Sequence, residues 1–333
     1  MRQFAVIVLT AGLLGCHGSN SLATVGSVRI AIHADPVPFL PFRIAQDFGY
    51  FQQEGLAVTM FEVPGGSKAM QALLGGSVDV AVASVSDAIQ LAAEGRDVRC
   101  FLLLYTRPTI ALAVAPAMSG RIRAIRDLKG RPVGVSAPGS ASHQVLNFLL
   151  ASNGLSPKDV SAVSVGMAGT SLAALEYGKV DAAILLSSAI PTFESRHPGQ
   201  LFLADTRTPD GARRVFGSEM FPNLSLIAQD NWLRNNGDTA RRLARAVKRA
   251  MLWMRDHPAE QVREMTTTRT GRPDSHTDLP AIRQAQQTMS PDGVVPATAM
   301  EIVEKFVAAS NERVRTAHID VSKIYTNEFA REH

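Results

Sequence analysis

The chain has 333 residues, of which 46% are hydrophobic and 19% are charged, so it can bury sizeable cores and is not intrinsically disordered. A chain of this length contains about two domains on average. Its formal charge of +4 comes from 34 basic and 30 acidic residues spread along the sequence, and so mild an excess does not indicate nucleic-acid binding.

The first residues have the pattern of a secretory signal. Arg2 precedes an apolar run, Phe4 to Leu14, that is too short to span a membrane as a stable helix. The sequence Leu13-Leu14-Gly15-Cys16 resembles the bacterial lipoprotein signal, in which the cysteine is acylated and becomes the mature N-terminus. We therefore predict a lipoprotein signal peptide over 1–15, lipidation at Cys16, a flexible tether over 16–26 and an extracytoplasmic protein anchored to a membrane by its lipid. An ordinary signal peptide with a chance cysteine is the alternative.

The sequence offers few groups for metal binding or catalysis. Cys16 and Cys100 are the only cysteines, so lipidation of Cys16 leaves no intramolecular disulfide and no cysteine-based metal site. The eight histidines show no His-x-x-x-His spacing, and neither a phosphate-binding loop nor a Gly-x-Ser-x-Gly elbow occurs. We therefore expect no metal, no cofactor and no enzymatic activity.

The first predicted strand, Val28 to Ala34, is followed by a loop with three prolines, which exclude both a helix and a central strand. A loop this rigid holds Phe39 and Phe42 in place, either as core residues or as walls of a pocket. Phe42 to Asp47 predicts a helix that ends at Gly49, and a second strand begins near Leu56.

The segment between that helix and the second strand carries a family signature. Its sequence from Gly49 to Val58, Gly-Tyr-Phe-x-x-Glu-Gly-Leu-x-Val, closely resembles the signature of the extracytoplasmic solute-binding proteins for nitrate, sulfonates, taurine and thiamine precursors. Those proteins belong to ABC importers and adopt the type II periplasmic-binding fold. The resemblance therefore implies an α/β chain with two lobes, a two-crossover hinge and a cleft between the lobes.

An internal repeat indicates two lobes built on one plan. The segment Val63-Pro64-Gly65-Gly66-Ser67 recurs as Val165-Gly166-Met167-Ala168-Gly169, and Gly76-Ser77-Val78-Asp79 recurs as Gly178-Lys179-Val180-Asp181. The offset is 102 residues in both cases. Each copy predicts a strand, a Gly-rich turn, a helix and a second strand that ends near a serine.

The repeat and the family's hinge together divide the chain. We assign residues 27–113 and 215–333 to lobe one and residues 114–214 to lobe two. Ile110 to Ala115 is interpreted as the strand that leaves lobe one, and Asn223 to Ala228 as the strand that returns.

The stretch Leu128 to Leu155 contains the clearest ligand-binding signal. Pro132 to Val135 predicts a short buried strand, a Gly/Ser loop follows, and Ala141 to Asn153 carries apolar residues at helical spacing. A helix that begins directly after such a loop presents unpaired backbone N–H groups and the positive end of its dipole, which favours an anion. The alternative is an ordinary joint in which Ser140 or Ser142 only caps the helix.

Ligands bind outside the carboxyl ends of strands in open α/β sheets, and loops of both repeats occupy that position. These loops give the predicted ligand contacts of lobe one: Phe39, Gly65, Gly66, Ser67, Ser84 and Ser86. The predicted contacts of lobe two are Ser136, Gly139, Ser140, Ser142, Gly169, Thr170 and Ser187.

The resemblance implies a monomeric substrate-binding lipoprotein that captures a small molecule by hinge closure and presents it to the permease and ATPase subunits of an ABC importer. The donor-rich loops favour a small oxyanion such as an aliphatic sulfonate, taurine or nitrate. Phe39, Phe42 and Tyr50 would instead suit a heteroaromatic such as a thiamine pyrimidine or a riboflavin precursor.

Two other classes of function are alternatives. The effector-binding domain of a regulator can share the two-lobed fold, but it needs a helix-turn-helix at the position of the signal sequence. An extracytoplasmic enzyme needs catalytic groups. Related eukaryotic proteins make a thiamine pyrimidine precursor with a Cys-rich motif, and this chain has too few cysteines to carry it.

Overall fold

The computed structural model describes residues 26–33, 37–187, 189–270 and 279–331. The predicted signal peptide, the lipidation site Cys16 and the tether up to residue 25 lie outside these ranges. In the part of the chain that the structure describes, no helix is both long and apolar enough to cross a bilayer.

Two five-stranded sheets organise the described residues. The first has the strand order β2-β1-β3-β10-β4, with β1 (Gly26–His33), β2 (Leu56–Val63), β3 (Val80–Ser84), β4 (Val98–Leu103) and β10 (Leu224–Gln229). The second has the order β7-β6-β8-β5-β9, with β5 (Ile110–Val114), β6 (Pro132–Val135), β7 (Ser161–Ser164), β8 (Ala182–Leu186) and β9 (Phe202–Asp205).

The two sheets have the same topology. In each, the first strand of the repeat pairs in parallel with the second and third strands. An antiparallel strand then completes the sheet: β10 pairs with β3 and β4, and β5 pairs with β8 and β9. The chain therefore crosses between the sheets twice, over 104–109 and over 206–223, and the two-lobed fold with a two-crossover hinge is confirmed.

The expected position of the first crossing needs correction. From the sequence we assign Ile110 to Ala113 to lobe one. In the structure β5 pairs with β8 along its whole length, with Ile110 opposite Leu186 and Val114 opposite Ala182, and so belongs to the second sheet. All five residues of β5 are buried. A short, uniformly apolar run fits the centre of either sheet, so the sequence alone does not assign it. The second expected boundary, between 214 and 215, falls inside a helix, Pro209–Phe216, that packs on β9.

Helices cover both faces of each sheet. Those before the second sheet are α1 (Leu40–Asp47), α2 (Tyr50–Gln53), α3 (Gly66–Leu74) and α4 (Val85–Ala93). Those between β6 and β10 are α5 (Ala141–Ser152), α6 (Gly169–Glu176), α7 (Ala189–Arg196) and α8 (Pro209–Phe216). Those after β10 are α9 (Asp230–Asn235), α10 (Gly237–Asp256), α11 (Ala259–Thr270), α12 (Leu279–Thr288), α13 (Ala297–Ala308) and α14 (Glu312–Thr316).

Both lobes contain the same ion pair at the base of the first strand. Asp79 accepts hydrogen bonds from the backbone N–H of Arg29 at 2.8 Å and from its guanidinium Nη2 at 2.8 Å. Asp181 accepts from Nη1 of Arg131 at 3.0 Å. Because both partners recur at the offset of 102 residues, the repeated Gly-x-Val-Asp motif is a structural element that ties the third strand of each lobe to its first.

An aromatic cluster joins the lobes on one side. Phe306 of α13 packs on Phe148 of α5, with ring centroids 4.8 Å apart, and on Phe221 of the second crossing at 5.1 Å. Phe216 of α8 stacks on Phe221 at 4.1 Å. These rings belong to one apolar cluster that runs from Ala31 in the first sheet to the second sheet, so the contact between lobes is continuous with both cores.

We predict that Phe306→Ala lowers the free energy of unfolding by about 3–5 kcal/mol, because it removes a buried ring and leaves a cavity. Urea unfolding followed by circular dichroism would measure this loss. Phe61→Ala is the matched control: Phe61 is 44% exposed, so its change should stay within about 0.5 kcal/mol. Equal losses in the two variants would contradict the role given to the aromatic cluster.

Candidate functional site

A cleft that is open to solvent lies between the lobes at the carboxyl ends of their strands. Its walls come from the ends of β1, β3, β6 and β8, from the first crossing and from α12. Eight of the thirteen predicted contacts line it: Phe39, Gly65, Gly66, Ser84, Ser136, Ser140, Ser142 and Ser187. The structure thus brings together loops from both repeats that are far apart in the sequence.

The other five predicted residues do not line the cleft. Ser86 is buried behind Ser84, with the two hydroxyl oxygens 2.8 Å apart. The Gly139 N–H donates to Nδ1 of His143, and the Thr170 hydroxyl donates to the Met167 carbonyl. Ser67 and Gly169 lie in the first turns of α3 and α6.

Three serines of lobe two form a closed ring of hydroxyl groups. The oxygens of Ser136, Ser140 and Ser142 are 2.8 to 2.9 Å apart in every pair, and all three residues are buried. Ser140 is also the N-cap of α5 and accepts from the His143 N–H. Ser140 therefore caps α5, as the alternative interpretation of this loop expects. Since each hydroxyl has one hydrogen, one of them must leave the ring to donate to a ligand.

The facing helix of lobe one, α4, begins with a capping box that contains a carboxylate. Ser84 ends β3 and is the N-cap of α4, where its N–H donates to Oδ2 of Asp87 at 3.2 Å. Asp87 also accepts at Oδ1 from Nε2 of Gln144, 2.8 Å away on α5. This hydrogen bond crosses from one lobe to the other, and both side chains are buried. Burial raises the pKa of Asp87 to about 6, although the bonds from Gln144 and Ser84 oppose the rise.

His33 ends β1 beside this carboxylate. Burial lowers the pKa of His33 to about 4, with a hydrogen bond to the Val82 backbone opposing the shift, so the imidazole is neutral at neutral pH. Its Nε2 is buried and has no hydrogen-bond partner among the described residues. A neutral ring that donates through one nitrogen offers a lone pair at the other, and His33 lines the cleft.

Gly66 permits the close approach of α3 to these two groups. A Cβ on Gly66 would lie 2.6 Å from Oδ2 of Asp87 and 3.6 Å from Nε2 of His33. The preceding Gly65 has φ +151°, a backbone conformation that favours glycine. Glycine at position 66 is therefore needed for the Pro-Gly-Gly-Ser turn to pack against the Asp87 carboxylate.

Arg107 is the cationic residue of the cleft wall. It lies in the first crossing and is partly buried, and its Nε is buried without a hydrogen-bond partner among the described residues. Burial lowers the pKa of the guanidinium, and no neighbouring charge contributes to the shift. A partly desolvated cation without an acidic partner carries an electrostatic cost that a bound anion would offset.

Sequence reasoning missed Arg107, His33 and Asp87. The only signal for Arg107 was its position: a single charged residue in the segment Tyr105-Thr106-Arg107-Pro108-Thr109 between two apolar strands. His33 lies at the end of a predicted strand, and Asp87 three residues after Ser84 completes a capping box. That box could have been found from the spacing, but the contact of Asp87 with Gln144 could not. Among the described residues, no group of three or more potential metal ligands occurs.

A family model described as NMT1/THI5 like matches residues 37–261. The chain belongs to the NMT1/THI5 like family. A solved structure from Bordetella bronchiseptica RB50 is 32% identical, with a TM-score of 0.84 and coverage of 92% of this chain and 96% of that one. The alkanesulfonate-binding protein SsuA from Xanthomonas axonopodis pv. citri, bound to MOPS, is 17% identical, with a TM-score of 0.68 and coverage of 91% and 98%; this likeness confirms the expected fold.

Curated relatives of this NMT1/THI5 like chain carry two kinds of name. YtlA of Bacillus subtilis (strain 168), provisionally named a binding protein, is 22% identical over 97% of this chain and 94% of its own length. A 4-amino-5-hydroxymethyl-2-methylpyrimidine phosphate synthase of Schizosaccharomyces pombe is 26% identical over 68% of this chain and 64% of its own length. The resemblance found in the sequence is confirmed at the level of the family.

The two shifted groups of the cleft should give pH dependences of opposite sign. The pKa of Asp87 is raised to about 6, so its ionisation destabilises the folded state as the pH rises from about 4 to 6. The pKa of His33 is lowered to about 4, so its protonation destabilises the folded state as the pH falls from about 6.5 to 4. Each shift corresponds to roughly 3 kcal/mol, and in the native protein the two largely cancel.

Single variants should expose the two contributions. Relative to the unmodified protein, Asp87→Asn should lose free energy of unfolding as the pH falls from about 6.5 to 4, because only His33 then titrates. His33→Gln should gain free energy of unfolding over the same range, because only Asp87 titrates. Urea unfolding at four pH values measures both slopes. Slopes equal to that of the unmodified protein would contradict the assignment of these pKa shifts.

We predict that Gly66→Ala destabilises the fold by roughly 1–3 kcal/mol, because the new methyl group would meet a held carboxylate. Gly169 is the matched control, since each glycine is the first residue of its helix and a Cβ on Gly169 meets nothing within 4 Å. Gly169→Ala should leave stability unchanged or raise it by up to about 1 kcal/mol. Thermal unfolding compares the pair, and the interpretation is wrong if both variants lose the same stability.

Proposed function

We propose that this chain is the extracytoplasmic solute-binding subunit of an ABC importer, which captures a small molecule by closure of its two lobes. One observation carries the proposal: a cleft at the carboxyl ends of two sheets with identical topology holds buried polar atoms that have no hydrogen-bond partner among the residues the structure describes. The two crossings act as the hinge. The names of YtlA and SsuA support a binding role, and the partners would be permease and ATPase subunits.

The chemistry of the cleft favours binding over catalysis. Its serine hydroxyls bond other hydroxyls and backbone groups, and in the described part of the chain no histidine side chain is hydrogen-bonded to one of them. Cys100 lies buried in β4, and burial raises the pKa of its thiol to about 12, so it is a poor nucleophile. The fission yeast relative is named a synthase. Related eukaryotic synthases are expected to use a Cys-rich motif, and this chain has only two cysteines, which are too few for such a motif.

The geometry favours an oxyanion over a heteroaromatic ligand. Of the three aromatic residues suggested for stacking, Phe42 and Tyr50 lie in the core of lobe one, and Arg249 covers the Tyr50 ring at 4.0 Å. Only Phe39 lines the cleft. Arg107, in contrast, offers a guanidinium whose fork matches sulfonate or carboxylate oxygens. The proposed ligand class is therefore a small oxyanion such as an aliphatic sulfonate.

A thermal-shift panel of nitrate, alkanesulfonates, aminopyrimidines and flavin precursors tests the ligand class. A sulfonate at 100 times its dissociation constant should add about 2.7 kcal/mol of stability. Replacing Ser140 and Ser142 by Ala should weaken its binding roughly tenfold by disrupting the hydroxyl ring, whereas Ser67→Ala, outside the cleft, should not. Stabilisation by aminopyrimidines without any by sulfonates would show that the oxyanion class is wrong.

The proposed location depends on lipid attachment at Cys16. Cells grown with radioactive palmitate should yield labelled protein in the membrane fraction, and Cys16→Ser should abolish the label. Unlabelled native protein would remove the lipid anchor from the proposal and would leave the binding function untouched.

A further inference from the structure

A buried hydrogen bond joins the two lobes directly. Nε2 of Gln144, on α5 of lobe two, donates to Oδ1 of Asp87, on α4 of lobe one, at 2.8 Å, and both side chains are buried. Other hydrogen bonds at the lobe interface have one partner on a crossing, as in the pair Thr109 and Ser187. The bond between Asp87 and Gln144 instead joins a helix of one lobe to a helix of the other, so rotation of the lobes must change it.

Each partner of this bond is also held by its own lobe. Asp87 accepts at Oδ2 from the Ser84 N–H, within the capping box of α4. Nε2 of Gln144 also donates to the Gly139 carbonyl, at 3.4 Å, in the Gly/Ser loop of lobe two. Because both side chains are ordered by these contacts, little conformational entropy is lost when they meet.

A second contact with lobe one lies on the same face of α5. Phe148, four residues after Gln144 and so about one turn further along the helix, packs on Phe306 of α13 with ring centroids 4.8 Å apart. Apolar packing of this kind is not directional, whereas a hydrogen bond weakens steeply as its angle changes. The hydrogen bond is therefore the more sensitive of the two contacts to rotation of the lobes.

We propose that the hydrogen bond between Asp87 and Gln144 is a latch that holds the lobes in the arrangement described here, the closed arrangement, without the need for a ligand. Both partners belong to the chain, and a hydrogen bond to an ionised carboxylate contributes more than one between neutral groups. A solute then enters the cleft only through the minor open population. This inference goes beyond the proposed function, in which closure follows binding.

The latch is reversible, because the closed arrangement also carries costs. Oε1 of Gln144 is buried without a hydrogen-bond partner among the described residues, and burial of the Asp87 carboxyl raises its pKa to about 6. Both groups regain water when the lobes separate, which opposes the latch. A single substitution in the pair should therefore shift the balance between closed and open protein.

The distance between the lobes tests the latch without any ligand. Spin labels are attached at exposed positions of the two lobes, through Phe61→Cys and Tyr177→Cys, in the full chain with Cys16→Ser. Cys100 is buried and should stay unlabelled. Pulsed electron paramagnetic resonance at about pH 8, where Asp87 is ionised, should show the distance of the closed arrangement as the main population. A main population at a longer distance would overturn the inference.

Two variants separate the latch from simple packing. Gln144→Met keeps the length of the side chain and removes the donor, so the ratio of closed to open protein should fall at least about tenfold. Asp87→Asn combined with Gln144→Glu reverses the bond, since the asparagine amide donates to the glutamate while its oxygen still accepts from Ser84. This double variant should keep a ratio near that of the unmodified protein. Gln90→Met is the matched control, because Gln90 accepts a hydrogen bond from Asn311 within lobe one.

An unchanged distance distribution in Gln144→Met, in protein that thermal unfolding shows to be folded, would contradict the latch. A double variant as open as Gln144→Met would do so as well. If Gln144→Met does not fold, the unmodified protein and the double variant decide. No ligand enters these measurements, so their failure would leave the proposed binding function standing, and a failure of the ligand panel would leave the latch standing.

Discussion

The structure depends on one constraint: each sheet is completed by the strand that directly follows a crossing from the other sheet. β5 enters the second sheet between β8 and β9 directly after the first crossing, and β10 enters the first sheet between β3 and β4 directly after the second crossing. The crossings are also hydrogen-bonded to each other, from the Asn223 N–H to the Tyr105 carbonyl and from the Phe221 N–H to the Thr106 carbonyl. Because both crossings are anchored in buried strands, they hold the lobes together, and the carboxyl ends of the strands of both sheets lie at the cleft.

Buried polar atoms without complete compensation occur at the cleft. Nε2 of His33 and Nε of Arg107, both in the cleft wall, and Oε1 of Gln144, whose side chain bonds Asp87, lack a partner among the described residues, and each such group costs about 1–3 kcal/mol. The strands β3 and β5, in contrast, are fully buried, and all of their residues except Ser84 are apolar. Proteins keep unpaired buried polar groups at sites where a ligand forms hydrogen bonds with them. The free protein loses stability through these groups, and binding of the ligand recovers that free energy.

The sequence predicted the fold because its strongest signals are local or periodic. The repeat at an offset of 102 residues, the signature around Tyr50 and the Gly/Ser loops required no knowledge of tertiary contacts. The assignment of β5 failed because that strand has no sequence feature that assigns it to a sheet. Whether Phe42 faces a core or a pocket stayed open, because only the folded chain decides it. Arg107 is recognisable only once the structure shows that it forms no ion pair with a described carboxylate.

The internal repeat also separates scaffold from site. At the offset of 102 residues, the pair Arg29 and Asp79 is retained as Arg131 and Asp181, whereas the positions of His33 and Asp87 are occupied in lobe two by Val135 and Ala189. Ala168 stands at the sequence offset of Gly66, but it is the N-cap of α6, and the first helical residue there is again a glycine, Gly169. The duplication therefore maintains the ion pair that ties the third strand of each lobe to its first, whereas the buried histidine and aspartate of the cleft occur in lobe one alone.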